Sequence, residues 1–302
     1  MLTKKLRWLA LPATLLLAAA LLAGCGSSSP ASATASGTTS AAAKPSPLLP
    51  ASIRSSGVLR IATEVGYAPF EVFQANGSSL EGLDVDLWNA LGAELGVKLE
   101  VNNGTYADII PSLEAGRDDV GWSAMALSSF EGLKAAKFLV YANRSFNDIV
   151  VSSSDTSIET GIDLCGKTLG YTNGETADIS TLDKECAALG KPSVAIKRFE
   201  KVPDIIVAIE SGQITGRIAD PVNGHYFVTQ SGGKLRYIEN VLPLKDVPTG
   251  IAVPANQPQL LHALQVGLQN LIDNGTYQKI FAKWDATATA VEKIAVDYAY
   301  KG

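Results

Sequence analysis

The side chains of this 302-residue chain best suited to metal or covalent chemistry are few: two histidines, His225 and His262, and three cysteines, Cys25, Cys165 and Cys186. A zinc-type centre gathers three or four nitrogen and sulfur ligands, and the histidines stand far from each other and from any close cysteine pair. No metal or cofactor is therefore expected. The spacings GxSxG, HExxH, P-loop and EF-hand are all absent, so the common hydrolytic, nucleotide and calcium chemistries lack their residues. A net charge of -5 without a basic run or basic-aromatic patch argues against nucleic acid. What the three cysteines can do depends on where the chain is delivered.

Lys4, Lys5 and Arg7 precede an apolar run over residues 8–23, which stops at Leu22-Ala23-Gly24-Cys25. A basic start, an apolar middle and a small-residue end read as a secretory signal, too short for a membrane span. Residues 26–50 are almost wholly Ser, Ala, Thr, Gly and Pro. Such a segment has nothing to bury and predicts a disordered tether of roughly 25–30 Å. In an exported chain the remaining even pair, Cys165 and Cys186, predicts a disulfide, the alternative being two buried thiols.

The rest alternates strand and helix. Residues 58–63 predict a strand, and 84–95 a helix with Leu87, Leu91 and Leu95 on one face and Gly96 as its stop. A strand at 97–101, a helix at 107–115 closed by Gly116 and a strand at 119–123 follow. After Asn147 the rhythm restarts, with strands at 149–151, 168–171, 194–197 and 214–219 and helices near 176–188 and 204–211. Two amphipathic helices, 259–273 and 276–284, close the chain. Two α/β units predict two lobes, with ligand held outside the carboxyl ends of the strands.

Several stretches resemble known proteins. Leu-Ala-Gly-Cys resembles the lipobox of bacterial lipoproteins, which implies a signal peptide at 1–24 and lipidation of Cys25. Thr63-Glu64-Val65-Gly66-Tyr67-Ala68-Pro69-Phe70-Glu71, then Gly82-Leu83-Asp84-Val85-Asp86-Leu87, resembles the opening of the family 3 solute-binding proteins, the polar amino-acid receptors of ABC importers. Ile109-Ile110-Pro111-Ser112-Leu113-Glu114-Ala115-Gly116, Gly250-Ile251-Ala252-Val253, Asp273-Asn274-Gly275-Thr276-Tyr277 and Lys283-Trp284 continue the likeness in order. Asp163-Leu164-Cys165-Gly166-Lys167 with Cys186 resembles a disulfide-bearing subgroup.

The resemblance implies a two-lobed periplasmic-binding-protein (flytrap) fold of class α/β. Each lobe would be a mostly parallel sheet with covering helices, and two hinge strands would join them. It places lobe 1 at 52–143 plus 247–302, lobe 2 at 144–246, and a lipidated tether at 25–51. The implied protein is a monomeric, non-enzymatic receptor on the outer face of the cytoplasmic membrane. It would capture a small polar, amine-bearing solute, an amino acid or related cationic amine, and deliver it to ABC permease subunits.

By position, Glu64 matches an acid that reads the far end of the ligand, and Tyr67 and Tyr106 match aromatics that sandwich it. An aromatic face also attracts an ammonium. Phe70 and Met125 are placed beside them, with core packing as the other role for Phe70. Asp220 matches the acid for the ligand's ammonium, Ser123 a hydroxyl on the opposite wall, and Thr176 a group at a helix start that helps bind carboxylate. The family's carboxylate-binding arginine has no counterpart: its place falls on Glu131 or Gly132, and Glu175 replaces a small hydroxyl residue. Two expectations follow. Either the ligand lacks a carboxylate and the acids hold a cation, or Arg144 or Lys134 restores the anion site. Other readings on the same fold are a prephenate or arogenate dehydratase, with Glu175 as its acid, and a sensory lobe serving no importer.

Overall fold

The computed structural model of the chain describes residues 44–75, 77–176, 179–242 and 247–296. The expected signal peptide, Cys25 and most of the tether lie outside the described residues.

A short helix α1 (Ala51–Ser56) leads into β1 (Val58–Thr63), the small hairpin β2 (Val72–Phe73) and β3 (Leu80–Glu81), α2 (Leu83–Leu95), β4 (Lys98–Asn103), α3 (Ile109–Glu114), β5 (Val120–Ala126) and β6 (Ala136–Arg144). Then come β7 (Asp148–Ser152), β8 (Thr168–Thr172), α4 (Ser180–Ala188), β9 (Ala195–Phe199), α5 (Val202–Glu210), β10 (Gly216–Ala219), α6 (Pro221–Gln230) and β11 (Leu235–Ile238). The last run is β12 (Val247–Pro254), α7 (Pro258–Asp273), α8 (Thr276–Lys283) and β13 (Ala290–Val296).

These strands form two principal sheets, ordered β13-β6-β12-β5-β1-β4 and β11-β7-β10-β8-β9. Each contains a parallel trio, β5-β1-β4 in the first and β10-β8-β9 in the second, and adds antiparallel strands on one side. The chain crosses from the first sheet to the second after Arg144 and comes back at Val247. Those two residues are paired where β6 and β12 run antiparallel.

Local chemistry explains the elements that carry the site. In α2, Leu83, Leu87, Leu91 and Leu95 are buried on one stripe, and Gly96 at φ 68° ends the helix in the left-handed form that lacks a Cβ penalty. That stripe meets Leu264 and Leu268 of α7 in the first core. Residues 120–125 of β5 are all buried, as expected of a central strand covered on both faces.

Two expected helices differ from the reading of the sequence. The 107–115 helix is a 3-10 turn (Tyr106–Asp108) running into α3, whose third residue is Pro111. Proline has no N–H to give, so it fits only in a helix's first turn. The 176–188 helix begins later, at Ser180, which leaves Thr176 outside it. Cys165 and Cys186 form a disulfide, tying the turn before β8 to α4. Among the described residues no helix is long and apolar enough to cross a membrane.

Candidate functional site

The parallel strands of both sheets end at one cleft. On the first wall, β1 runs into Glu64, whose backbone N–H donates to Ser123 Oγ on β5 at 3.1 Å. Ser123 Oγ donates onward to Glu71 Oε1 at 2.9 Å. Behind it, Asp84 accepts from the Tyr141 hydroxyl at 2.6 Å and from Ala124 N–H at 2.8 Å. Burial, reinforced by the charge of Asp84, pushes the Glu71 carboxyl well above the usual range. The Glu64 side chain is only 2% exposed, and burial lifts its pKa to about 7 against the opposing charges of Arg217 and Lys201. Its Oε1 has no hydrogen-bond partner among the described residues.

On the second wall, Arg217 lies inside β10, whose four residues are all buried. Its terminal nitrogens fork onto Glu175, Nη1 to Oε2 at 3.2 Å and Nη2 to Oε1 at 3.0 Å. Thr172 braces Glu175 from the end of β8, donating its N–H at 3.0 Å and its hydroxyl at 2.9 Å. Burial works against the Arg217 charge, but Glu175 and Tyr67 outweigh it and hold the guanidinium firmly protonated. Asp220 caps α6, accepting Asn223 N–H at 3.1 Å with Pro221 at the first helical position, where a missing N–H costs nothing.

The walls touch. Arg144, at the end of β6 and 1% exposed, donates to Asp220 Oδ2 at 3.0 Å, Tyr67 Oη at 3.1 Å, Thr249 Oγ1 at 2.7 Å and Ala124 O at 2.5 Å. Its guanidinium carbon lies 5.4 Å from the ring centre of Tyr67 and 4.8 Å from that of Phe70. Asn223 Nδ2 donates to Ala68 O at 2.5 Å, and Thr176 N–H to Ser129 Oγ at 3.0 Å. The space enclosed is about 20 Å³, room for about one water molecule, so the walls must part before a solute of amino-acid size can enter.

Of the residues expected at the site, Glu64, Tyr67, Tyr106, Ser123, Arg144 and Glu175 line this cleft. Asp220 sits just behind them under Arg144 and Tyr67, and Phe70 is wholly buried with its ring stacked on Tyr67. Three placements differ. Met125 packs into core with Ile109 and Leu113 and is absent from the lining. Thr176 is exposed, and it offers no helix start. Glu131 is exposed and outside the lining. The repulsion expected between Glu175 and a carboxylate is also tempered, because Arg217 sits against both its oxygens.

Sequence reasoning missed Arg217, along with Thr172, Phe146 and Val202, which also line the cleft. The signal for Arg217 was present: one arginine in the four-residue strand Gly216-Arg217-Ile218-Ala219, just before Asp220-Pro221. A charge inside a buried strand is expensive unless a partner meets it, which marks it for a role.

Two α/β lobes joined by two chain crossings and closed on a polar cleft define a periplasmic-type binding protein. Residues 59–287 match the sequence model of the bacterial extracellular solute-binding proteins, family 3, and the chain belongs to that family. It is 25% identical over 240 residues to the arginine-binding protein ArgT of Corynebacterium glutamicum, covering 78% of this chain and 77% of that one. An ancestral arginine-binding protein bound to arginine superposes with a TM-score of 0.65 at 30% identity, over 76% of this chain and 98% of its own. AncCDT-1, an ancestral amino acid-binding protein and precursor of cyclohexadienyl dehydratase, also gives 0.65, at 27% identity over 77% of this chain and 97% of its own.

Proposed function

We propose that this chain is the capture component of an ABC importer for an amino acid, one whose side chain ends in a cation. The observation that carries this reading is the Glu64 carboxyl, buried in the cleft with Oε1 unpartnered and with Tyr67 and Tyr106 lining the same space. A buried acceptor without a donor is costly, and a ligand cation supplies the donor while the rings favour its charge. The arginine-binding relatives support the same class of solute. Lobe 1 spans 52–143 plus 247–302 and lobe 2 spans 144–246. Cys25 carries the lipid that keeps the monomer on the outer face of the cytoplasmic membrane, within reach of its permease.

Capture follows from differential contact. The open lobes expose Glu64 on one wall and Arg217 on the other, and a ligand that bonds both favours the closed form by the free energy of those bonds. The residues needed are binding groups. Both Glu175 oxygens are engaged as acceptors from Arg217 and Thr172, which leaves that side chain poorly placed as the acid of a dehydratase.

The test is thermal stabilisation of the purified protein against the twenty amino acids, their decarboxylated amines and prephenate. A ligand at a hundred times its dissociation constant adds about 2.7 kcal/mol, a clear rise in melting temperature. Stabilisation by arginine, lysine or histidine is expected. A response to prephenate with turnover, or to anionic amino acids alone, would sink the reading.

A further inference from the structure

Arg217 has a donor that no described residue uses. A guanidinium carries five N–H groups. Glu175 takes one from each terminal nitrogen, and Arg217 Nε has no partner among the described residues although the side chain is 2% exposed. The side chain nevertheless lines the cleft, with its guanidinium carbon 5.8 Å from the ring centre of Tyr67. Arg144 is different. Its Nε, Nη1 and Nη2 all donate to protein oxygens, four bonds in total, so it is a strut between the walls. Lys134 is exposed and absent from the lining. With no arginine at Glu131 or Gly132 to build the anion site, Arg217 is a candidate among the described residues: it lines the cleft and keeps a buried donor without a partner.

We propose that Arg217 holds the ligand's α-carboxylate, and that Glu175 is its positioning residue, so that the second lobe binds the carboxylate. This rests on the amino-acid reading of the cleft. Glu175 fixes the guanidinium plane by accepting from both terminal nitrogens, and Nε is left without a protein partner among the described residues. A carboxylate on this guanidinium makes charge-assisted bonds that a plain amine cannot make. Glu175 also offsets part of the positive charge in the absence of solute, so the buried arginine is never unpaired. The chemical class that fits is a zwitterionic amino acid with a cationic side chain. It reaches from Arg217 on β10 to Glu64 beyond β1.

The experiment is calorimetric titration with two probes, L-arginine and agmatine, which share a guanidinium and differ by the carboxylate. The protein is used as wild type, Arg217→Met, Arg217→Lys and Glu175→Gln. Wild type should prefer L-arginine by about a hundredfold, the worth of charged hydrogen bonds. Arg217→Met should lose most of that preference, with agmatine weakened far less than L-arginine. Arg217→Lys should restore part of it, and Glu175→Gln should reduce it without abolishing it. If Arg217→Met does not fold, the double variant Arg217→Met/Glu175→Gln removes the orphaned acid and serves in its place. Equal weakening of both probes would show that Arg217 only supports the wall, and overturns the proposal while amino-acid capture stands. Wild type binding agmatine as tightly as L-arginine overturns it too. Failure to bind any of the twenty amino acids defeats the reading beneath it as well.

Discussion

Tyr67 and Asp220, 153 positions apart, meet across the cleft, the phenolic hydroxyl donating to Oδ2 at 2.8 Å. Arg144 donates to the same Oδ2 and to the Tyr67 oxygen, which closes a three-membered ring of bonds between the walls. Burial pushes the Tyr67 hydroxyl's pKa upward, with Asp220 adding to the effect, so it stays a donor across the working pH range. The closed form thus has its own bonds, and a solute adds to them.

Tyr67→Phe keeps the ring stacked on Phe70 and removes the hydroxyl. A hydrogen bond to a charged group contributes about 1.5–3 kcal/mol, so the solute-free protein should shift toward the open form. Small-angle scattering should show a larger radius of gyration than wild type. An unchanged radius would mean that other contacts hold the lobes together.

Gly174 should behave as a contact point between the lobes. Its φ is +82°, and a Cβ there would stand 3.1 Å from the Cα of Ala107 on the other wall. Gly174→Val therefore wedges the cleft as well as straining the turn. Solute affinity should fall at least about tenfold, while unfolding in urea changes by about 1–2 kcal/mol, the usual cost of a left-handed non-glycine residue. Undiminished affinity would contradict the close approach.

Stability should depend on pH through Glu64. Its pKa is about 7 folded, against about 4.3 for an ordinary glutamate, so the folded chain holds that proton more tightly. The stabilisation is full below the unfolded value and is lost as pH rises through about 7, a change of about 3–4 kcal/mol. Glu71 and Asp84, both raised by burial, act in the same sense. Urea unfolding of the solute-free protein between pH 5 and 8 should show this decline, and Glu64→Gln should remove part of the slope. A cationic solute should release protons on binding near pH 6, read by calorimetry in two buffers.

Replacing Cys165 and Cys186 together by serine should cost about 3 kcal/mol, since the cross-link closes a loop of 21 positions in the unfolded chain. Neither cysteine lines the cleft, so solute affinity should change by less than about twofold. A large loss of affinity would show that the bridge shapes the second wall.

Glu131→Ala should leave both stability and affinity unaltered, within about 0.5 kcal/mol, because the side chain is exposed outside the cleft. Tighter binding of anionic amino acids by this variant would place Glu131 back at the site.

Much of the framework was legible along the chain. The residues of β1 and the leucine stripes of α2 and α7 follow from periodicity alone, because a strand or helix buries a face set by residues two, three or four positions apart. β6 and β13 were not read. Their order in the sheet, with β6 between β12 and the edge strand β13, depends on pairings between distant segments. Thr176 was misplaced for a related reason: the helix beyond it starts four residues later than its apolar pattern suggested.

By itself the sequence determined the α/β alternation, the cysteine pair, and the acids and aromatics that gather at the strand ends. Its resemblance to the family also implied that a carboxylate-binding arginine is missing at Glu131 or Gly132. Only the tertiary structure decided how the charges are matched. Arg217 reaches Glu175 across 42 positions, and Arg144 reaches Asp220 across 76. A residue's type fixes the sign of its charge. Whether that charge repels, latches or awaits a solute depends on distance and burial, since charges interact several times more strongly in a closed cleft than in water.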